Sequence, residues 1–371
     1  MSAQDGSSTR PTADAPGVVE ILDEVTTIAD EWDALADRVG ADPFCRPGWF
    51  AAWMRAFTPQ GRLGALTLRA DGRLRAVVPL LRHRSITSSP TNEHTPRFRL
   101  LGEDPSAVAE LATAIVRLRH RRLSLSPMDV EEATLEAILR AGTTAGYRIV
   151  ERVALRSPYV VLEGIEQADA VLGRSMRKDL RRCRRRLEEL GDLTVAVSRG
   201  GGELDALLDE ALAVEERPWK GEAGTAITSS PQTHAFYLDI ARWAAARGTL
   251  RLIHLALDGR MIAFELDILD GSGLYSLKAG FDPEHARASP GHLVALAAIE
   301  EGLAAGAATY ELLGDAEPYK MRWTDTCHEM RSLVATPGTA AGTAEHVRVR
   351  YLRPARRRIV GRVSARVANR G

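Results

Sequence analysis

Four short stretches bring together residue types that could do group-transfer chemistry. Ser289-Pro290-Gly291-His292-Leu293 follows a strand-like segment and opens a helical one. A helix start offers unpaired backbone N–H groups and the positive end of the helix dipole. Ser can cap it, Pro suits its first turn, and Gly291 lets an anion approach the backbone. The combination suits a pyrophosphate cradle; a well-capped helix without a ligand is the plainer reading. Gly314 to Lys320 lies just past the strand-like Thr309 to Leu313, a favoured binding position in α/β sheets. Tyr319 could give a proton to a leaving group, and Lys320 could hold a phosphate or a developing oxyanion; a solvated loop fits as well. Trp219-Lys220, before the Gly/Thr/Ser-rich stretch 221–230, suits the rim of a substrate site. Its plainer reading is a buried Trp beside a surface Lys. Glu265 and Asp267 alternate on one strand and share a face. Such a pair could act as a general base; on a solvent face they would be ordinary polar positions.

Two basic clusters stand apart from these. Seven arginines and a lysine crowd Arg174 to Arg186, behind an apolar stripe of Leu172, Met176, Leu180, Cys183, Leu187 and Leu190. The stripe packs on the protein, leaving a cationic face that could meet phosphates or simply be solvated. From Arg348 to Arg370, nine arginines interleave with valines, Leu352 and Ile359. That pattern would allow peripheral contact with an anionic membrane.

The elements that must position these residues follow from periodicity. The 371 residues, 45% apolar, suit two domains rather than one. Residues 1–17 read as a disordered tail. Helical spacing marks Ile28 to Val39, Phe44 to Phe57, Ala107 to Leu118 and Val130 to Ala145, with 83–97 as a loop. Further helices are expected at 168–190, 203–216, 236–247 and 293–305. Two hairpins with Asp-Gly turns, Leu63 to Leu81 and Leu250 to Leu269, recur at similar places in the two halves. Strands are also expected at 18–25, 122–125, 147–155, 159–162, 193–198, 273–280, 309–313 and 329–334. The expected class is α/β (α+β): a structural duplication with a mixed, largely antiparallel sheet flanked by helices in each half. The first half spans 18–150, the second 151–335, and 336–371 form a basic tail.

Balanced charge, 49 basic against 49 acidic residues, gives no global field for nucleic acid. Three scattered cysteines share no metal-ligand spacing, so no metal is expected. They suit a reducing compartment. No apolar run nears the roughly 18 residues of a spanning helix, and the start lacks a signal-peptide pattern. The expected location is the cytoplasm.

Taken in order, Trp219-Lys220-Gly221, Gly224 to Ile227, Phe236-Tyr237, the Leu250 to Leu269 hairpin, Ser289-Pro290-Gly291 and Tyr319-Lys320 resemble the CelD-type branch of the GNAT acyltransferases, related to FemABX. Trp32, Leu35, Phe44, Trp49, Trp53 and Ala76 to Leu81 fit the first half of that pattern, so the resemblance covers roughly residues 20–335. It implies tandem GNAT-like halves and acyl transfer from an acyl thioester, acetyl-CoA or another acyl-CoA, to an amine or hydroxyl in a small molecule, glycan or peptide. It also implies a setting in cell-envelope or polysaccharide metabolism. Arg287, Ser289, Gly291 and His292 would correspond to the pyrophosphate loop. Tyr319 resembles the acid that protonates the departing thiolate, and Lys320 the lysine of FemABX proteins. The loop departs from the usual pattern, with Pro290 at the first glycine position and His292 at the last. Aminoacyl-tRNA is therefore an alternative donor, with the 174–186 helix on RNA, and a non-catalytic partner in polysaccharide production is a third reading.

Overall fold

The computed structural model describes residues 18–57, 60–118, 120–216 and 230–352. The first half runs β1 (Val18–Leu22), α1 (Ala29–Arg38), α2 (Pro47–Phe57), β2 (Arg62–Ala70), β3 (Arg73–His83), β4 (Ile86–Ser88), β5 (Leu101–Gly102), α3 (Pro105–Arg117), β6 (Arg122–Asp129), α4 (Ala133–Thr144) and β7 (Arg148–Val161). The second runs α5 (Arg174–Glu188), β8 (Leu193–Ser198), α6 (Leu204–Glu216), α7 (Pro231–Ala246), β9 (Leu250–Leu257), β10 (Arg260–Asp270), β11 (Gly273–Phe281), α8 (Pro290–Ala304), β12 (Thr309–Glu311) and β13 (Cys327–Thr336), then α9 (Ala340–Val347).

Both expected hairpins form, β2–β3 and β9–β10. Asp71-Gly72 and Asp258-Gly259 turn them with positive φ at both residues, 52° and 75°, then 51° and 77°. That geometry matches the twist of the flanking strands and suits Asp-Gly. In each half the hairpin is followed by a third antiparallel strand, a helix, and a strand parallel to the third: β4, α3, β6 and then β11, α8, β12. The duplication is thus one of topology, and each half carries a mixed, largely antiparallel sheet flanked by helices.

The halves do not part cleanly. Strand order is β1-β2-β3-β4-β6-β13-β7-β12-β11-β10-β9-β8, with β5 paired to β3 off this path. β13, from the second half, inserts between β6 and β7, and β7 continues past it to pair with β12. The expected boundary at 150/151 falls inside β7, and the strands expected at 147–155 and 159–162 are this single strand. β4 lies in the stretch expected to be loop. Three residues give too few alternations to reveal a strand.

Three apolar clusters hold the layers. Leu66, Val78 and Leu123 pack under α3 and α4; Ile253, Leu255 and Ala263 pack under α5 and α8. The third cluster is shared by both halves: Trp32, Trp49 and Val77 meet Phe236, Leu252 and Phe264. There α2 lies so close to α7 that a Cβ on Gly48 would fall 2.0 Å from the Trp243 indole nitrogen. Arg46, 2% exposed, forks onto Asp270 at the end of β10, with Nε–Oδ2 2.5 Å and Nη2–Oδ1 2.9 Å. It also meets Asp33 and Asp37 of α1. Among the described residues, no helix is long and apolar enough to cross a membrane.

Candidate functional site at the strand splay

β11 and β12 pair over only three residues, from Gly273↔Thr309 to Tyr275↔Glu311. Beyond that point they diverge. The Leu312 N–H donates to the Pro158 carbonyl on β7, and Leu313 and Gly314 turn the chain away with φ of 51° and 61°. The gap opens into a cavity of about 1020 Å³. Ser276 to Ala279 form one wall, Leu312 to Gly314 another, and Tyr319 and Lys320 reach its surface. The first half closes it with Ser89, Thr91 to Pro96, Ser124, Ser126, Pro127 and the β7 edge at Arg152 to Leu155. Both halves therefore contribute, the usual situation of a substrate pocket.

At the expected cradle the sequence reading needs one change. Ser289 does not cap α8: its φ of 48° is left-handed and its side chain makes no capping bond. Pro290 and Gly291 still begin the helix, so its first turn is left without a side-chain cap. The Gly291 Cα faces Phe281, whose ring would stand 3.2 Å from an added Cβ. Positive groups gather nearby. Arg186 of α5 donates to the Arg287 carbonyl, and Arg322 lies 3.3 Å from His292 Nε2. Burial and the Arg322 charge lower the His292 pKa to about 4, so its imidazole is neutral. The matching helix of the first half is closed to anions. The Asp104 carboxylate caps α3 by accepting from Ala107 N–H at 2.8 Å and places a negative charge there. At the first half's own parallel pair, β4–β6, the Ser89 and Thr91 hydroxyls both donate to the Ser126 carbonyl and bridge the strands where they meet the cavity. Among the described residues, the second repeat combines a strand splay with a helix start that lacks a side-chain cap, and Arg287, Ser289, Gly291 and His292 lie outside the cavity lining.

Tyr319 is 53% exposed and within reach of a ligand. Lys320 is buried, and its ammonium is committed to the Leu313 carbonyl at 2.9 Å, Glu317 at 3.0 Å and the Asp315 carbonyl at 3.5 Å. It pins the turn that opens the splay. Glu265 and Asp267 share a face as expected, but that face is buried beneath α8 rather than solvated, at 1% and 0% exposure. Neither carboxylate lines the cavity. The Tyr310 hydroxyl donates to Glu265. Burial raises both carboxyl pKa values, that of Asp267 further through the neighbouring Glu265 charge. Trp219 and Lys220 lie outside the described residues.

Sequence reading missed His94, Ser276 and Lys278 in the cavity wall, and it named Tyr237 only within the family resemblance. His94 ties its loop to α7, with Nδ1 3.2 Å from the Tyr237 hydroxyl and Nε2 3.3 Å from Thr233 Oγ1. The only signal was a polar residue in a loop, which many positions share. Also missed is a charged clasp beside the site. His328 of β13 stands between Asp129 of β6, 3.1 Å from Nδ1, and Glu311 of β12, 3.3 Å from Nε2. Arg97 binds Glu311 as well. Burial alone would lower the His328 pKa, but its bonds to Asp129 and Glu311 outweigh this and raise it to about 9. Asp129, Glu131 and His328 present ligand atoms within 4.8 Å of one another. A metal at this group would have to displace the His328 proton.

Residues 174–321 match the model of the acetyltransferase (GNAT) domain family. No curated protein matches the chain. Among solved structures, FemX is similar, with a TM-score of 0.58, 14% identity, and coverage of 85% of this chain and 96% of that one. A conserved protein of unknown function from Bacteroides thetaiotaomicron gives 0.54 at 11% identity, covering 86% and 100%. L-PGS from Bacillus licheniformis gives 0.52 at 11%, covering 86% and 94%. At these identities the likeness is one of fold.

Proposed function

We propose that the protein transfers an acyl group from an acyl-CoA, acetyl-CoA first among them, to an amine or hydroxyl acceptor held between the two halves, in the manner of the CelD-type branch. The observation that carries this reading is the open splay of β11 and β12 beside the start of α8. A thioester arm laid in the gap would complete the backbone pairing that the strands lose after Tyr275 and Glu311, while its pyrophosphate meets the first turn of α8. Tyr319 gives the departing thiolate its proton. The test is calorimetric titration with acetyl-CoA, comparing wild type with Gly291→Trp and checking the fold by circular dichroism. Binding that disappears in the variant supports the reading. No binding to the wild type sinks acetyl-CoA as the donor.

A second reading rests on α5. Arg174, Lys178, Arg181, Arg182, Arg184, Arg185 and Arg186 are exposed on that helix, a face suited to RNA phosphates and hence to an aminoacyl-tRNA donor. Steeply salt-dependent tRNA binding, lost on replacing Arg181 and Arg185 with Gln, would favour it over acyl-CoA.

A further inference from the structure

Two buried carboxylates, unpaired with any cation among the described residues, sit one side chain behind the cavity wall. Glu265 and Asp267 face the underside of α8 from β10. Among the described residues, both Asp267 oxygens lack a hydrogen-bond donor. Arg251 stands opposite Asp267 across the β9–β10 ladder. Its guanidinium is taken up by Glu301 at 2.8 Å and by the carbonyls of Gly248 and Leu250. Tyr310, from β12, is a donor to Glu265 and is itself fully buried. Two carboxylates in contact without a cation cannot both be ionised, so the pair shares a proton.

One side chain links this pair to the cavity. Ser276 on β11 pairs directly with Asp267 across the β10–β11 ladder and belongs to the cavity wall. Its side chain shares the face that bears the pair, close to both Glu265 and Tyr310. We infer that Ser276 is a proton relay between an acceptor bound in the cavity and the Glu265–Asp267 pair. This rests on the acyltransfer reading above and assigns its general base.

The step balances as follows. The acceptor lone pair forms a bond to the thioester carbonyl carbon. As it does so, the acceptor proton passes to Ser276 Oγ while the Ser276 hydroxyl proton passes to the Glu265 carboxylate. Collapse of the tetrahedral intermediate breaks the C–S bond. The thiolate takes a proton from Tyr319, which regains one from solvent, and Glu265 returns its proton to solvent through Ser276 once the acylated acceptor has left. The net change is acyl thioester plus acceptor to acylated acceptor plus thiol. Asp267, holding the shared proton, is a positioning residue: it keeps Glu265 as the ionised member of the pair.

The relay can be tested without knowing the acceptor. Infrared spectroscopy should show a carbonyl band from a buried protonated carboxyl, absent in Asp267→Asn. On rapid mixing into D2O, this band should shift quickly in the wild type, slowly in Ser276→Ala, and quickly again in Ser276→Thr. The two Ser276 variants leave the buried carboxylates untouched, so the comparison survives if Asp267→Asn fails to fold. With acetyl-CoA and hydroxylamine as probe substrates, Ser276→Ala should lower kcat on the order of a hundredfold with KM little changed, and Ser276→Thr should restore it. Equal exchange in wild type and Ser276→Ala overturns the relay. Absence of acetyl-CoA binding in calorimetry would instead overturn the acyl-CoA reading and leave the exchange measurement to decide the relay.

Discussion

Tyr319 and Lys320 are adjacent in sequence and end up with different tasks. Tyr319 is open to the cavity, while the Lys320 ammonium is held by two carbonyls and Glu317. Tyr319→Phe removes one hydroxyl and no packing volume. Its turnover with acetyl-CoA should fall, on the order of a hundredfold if it is the general acid, with an unchanged melting temperature. Unchanged turnover would remove it from the mechanism. His328 offers a separate, pH-based test. Its pKa is raised from an ordinary value of about 6.5 to about 9 in the folded chain. The native state therefore holds its proton more tightly than the unfolded chain. The resulting stability is fully present below pH 6.5 and is lost as pH rises through 9. His328→Asn should flatten the decline in urea midpoint over that interval; a variant whose midpoint still falls as in the wild type would show that the clasp contributes nothing. The sequence pointed to Tyr319 and not to His328. Tyr319 could be singled out because it follows a strand end, whereas His328 acquires its meaning from Asp129 and Glu311, which other strands deliver.

At the scale of elements, the contact of α2 with α7 is the most exacting. Gly48 leaves no room for a methyl group against Trp243. Gly48→Ala should cost about 1–3 kcal/mol through forced displacement of packed groups, read as a lower denaturant midpoint. A neutral result would mean that Trp243 moves aside freely. The same reasoning explains which elements could be read in advance. Helices such as α3 and α5 carry their apolar stripe within a dozen or so residues, and the hairpins carry their own Asp-Gly turns. The side of β10 that bears Glu265 and Asp267 was also legible as one face. Its burial was not, because that depends on where α8 lies.

Across the whole molecule, strand exchange and a shared core join the halves. Arg46 belongs to the first half and Asp270 to the second, 224 residues away. Arg46→Ala would leave Asp270, 8% exposed, without its partner, and should lower stability by about 3–5 kcal/mol. Because β7, β13 and the shared apolar cluster all cross between the halves, scanning calorimetry of wild type and variant should each show one transition. Two separated transitions would mean that the halves fold independently.

Local order along the chain determined the helices, the paired hairpins, the duplicated α/β class and the segments carrying Ser289 to His292 and Tyr319-Lys320. Those features depend on side chains a few residues apart, whose spacing is written directly in the sequence. The tertiary structure decided which repeat combines a strand splay with a helix start that lacks a side-chain cap, the insertion of β13 between β6 and β7, and the burial of Glu265 and Asp267 behind Ser276. Each of these is fixed by contacts between distant residues, as where the Ser126 and Ser332 hydroxyls meet at 2.6 Å. Many sequences with the same local periodicity could make such contacts differently. The choice among them lies in how whole layers pack, which no short stretch of residues records.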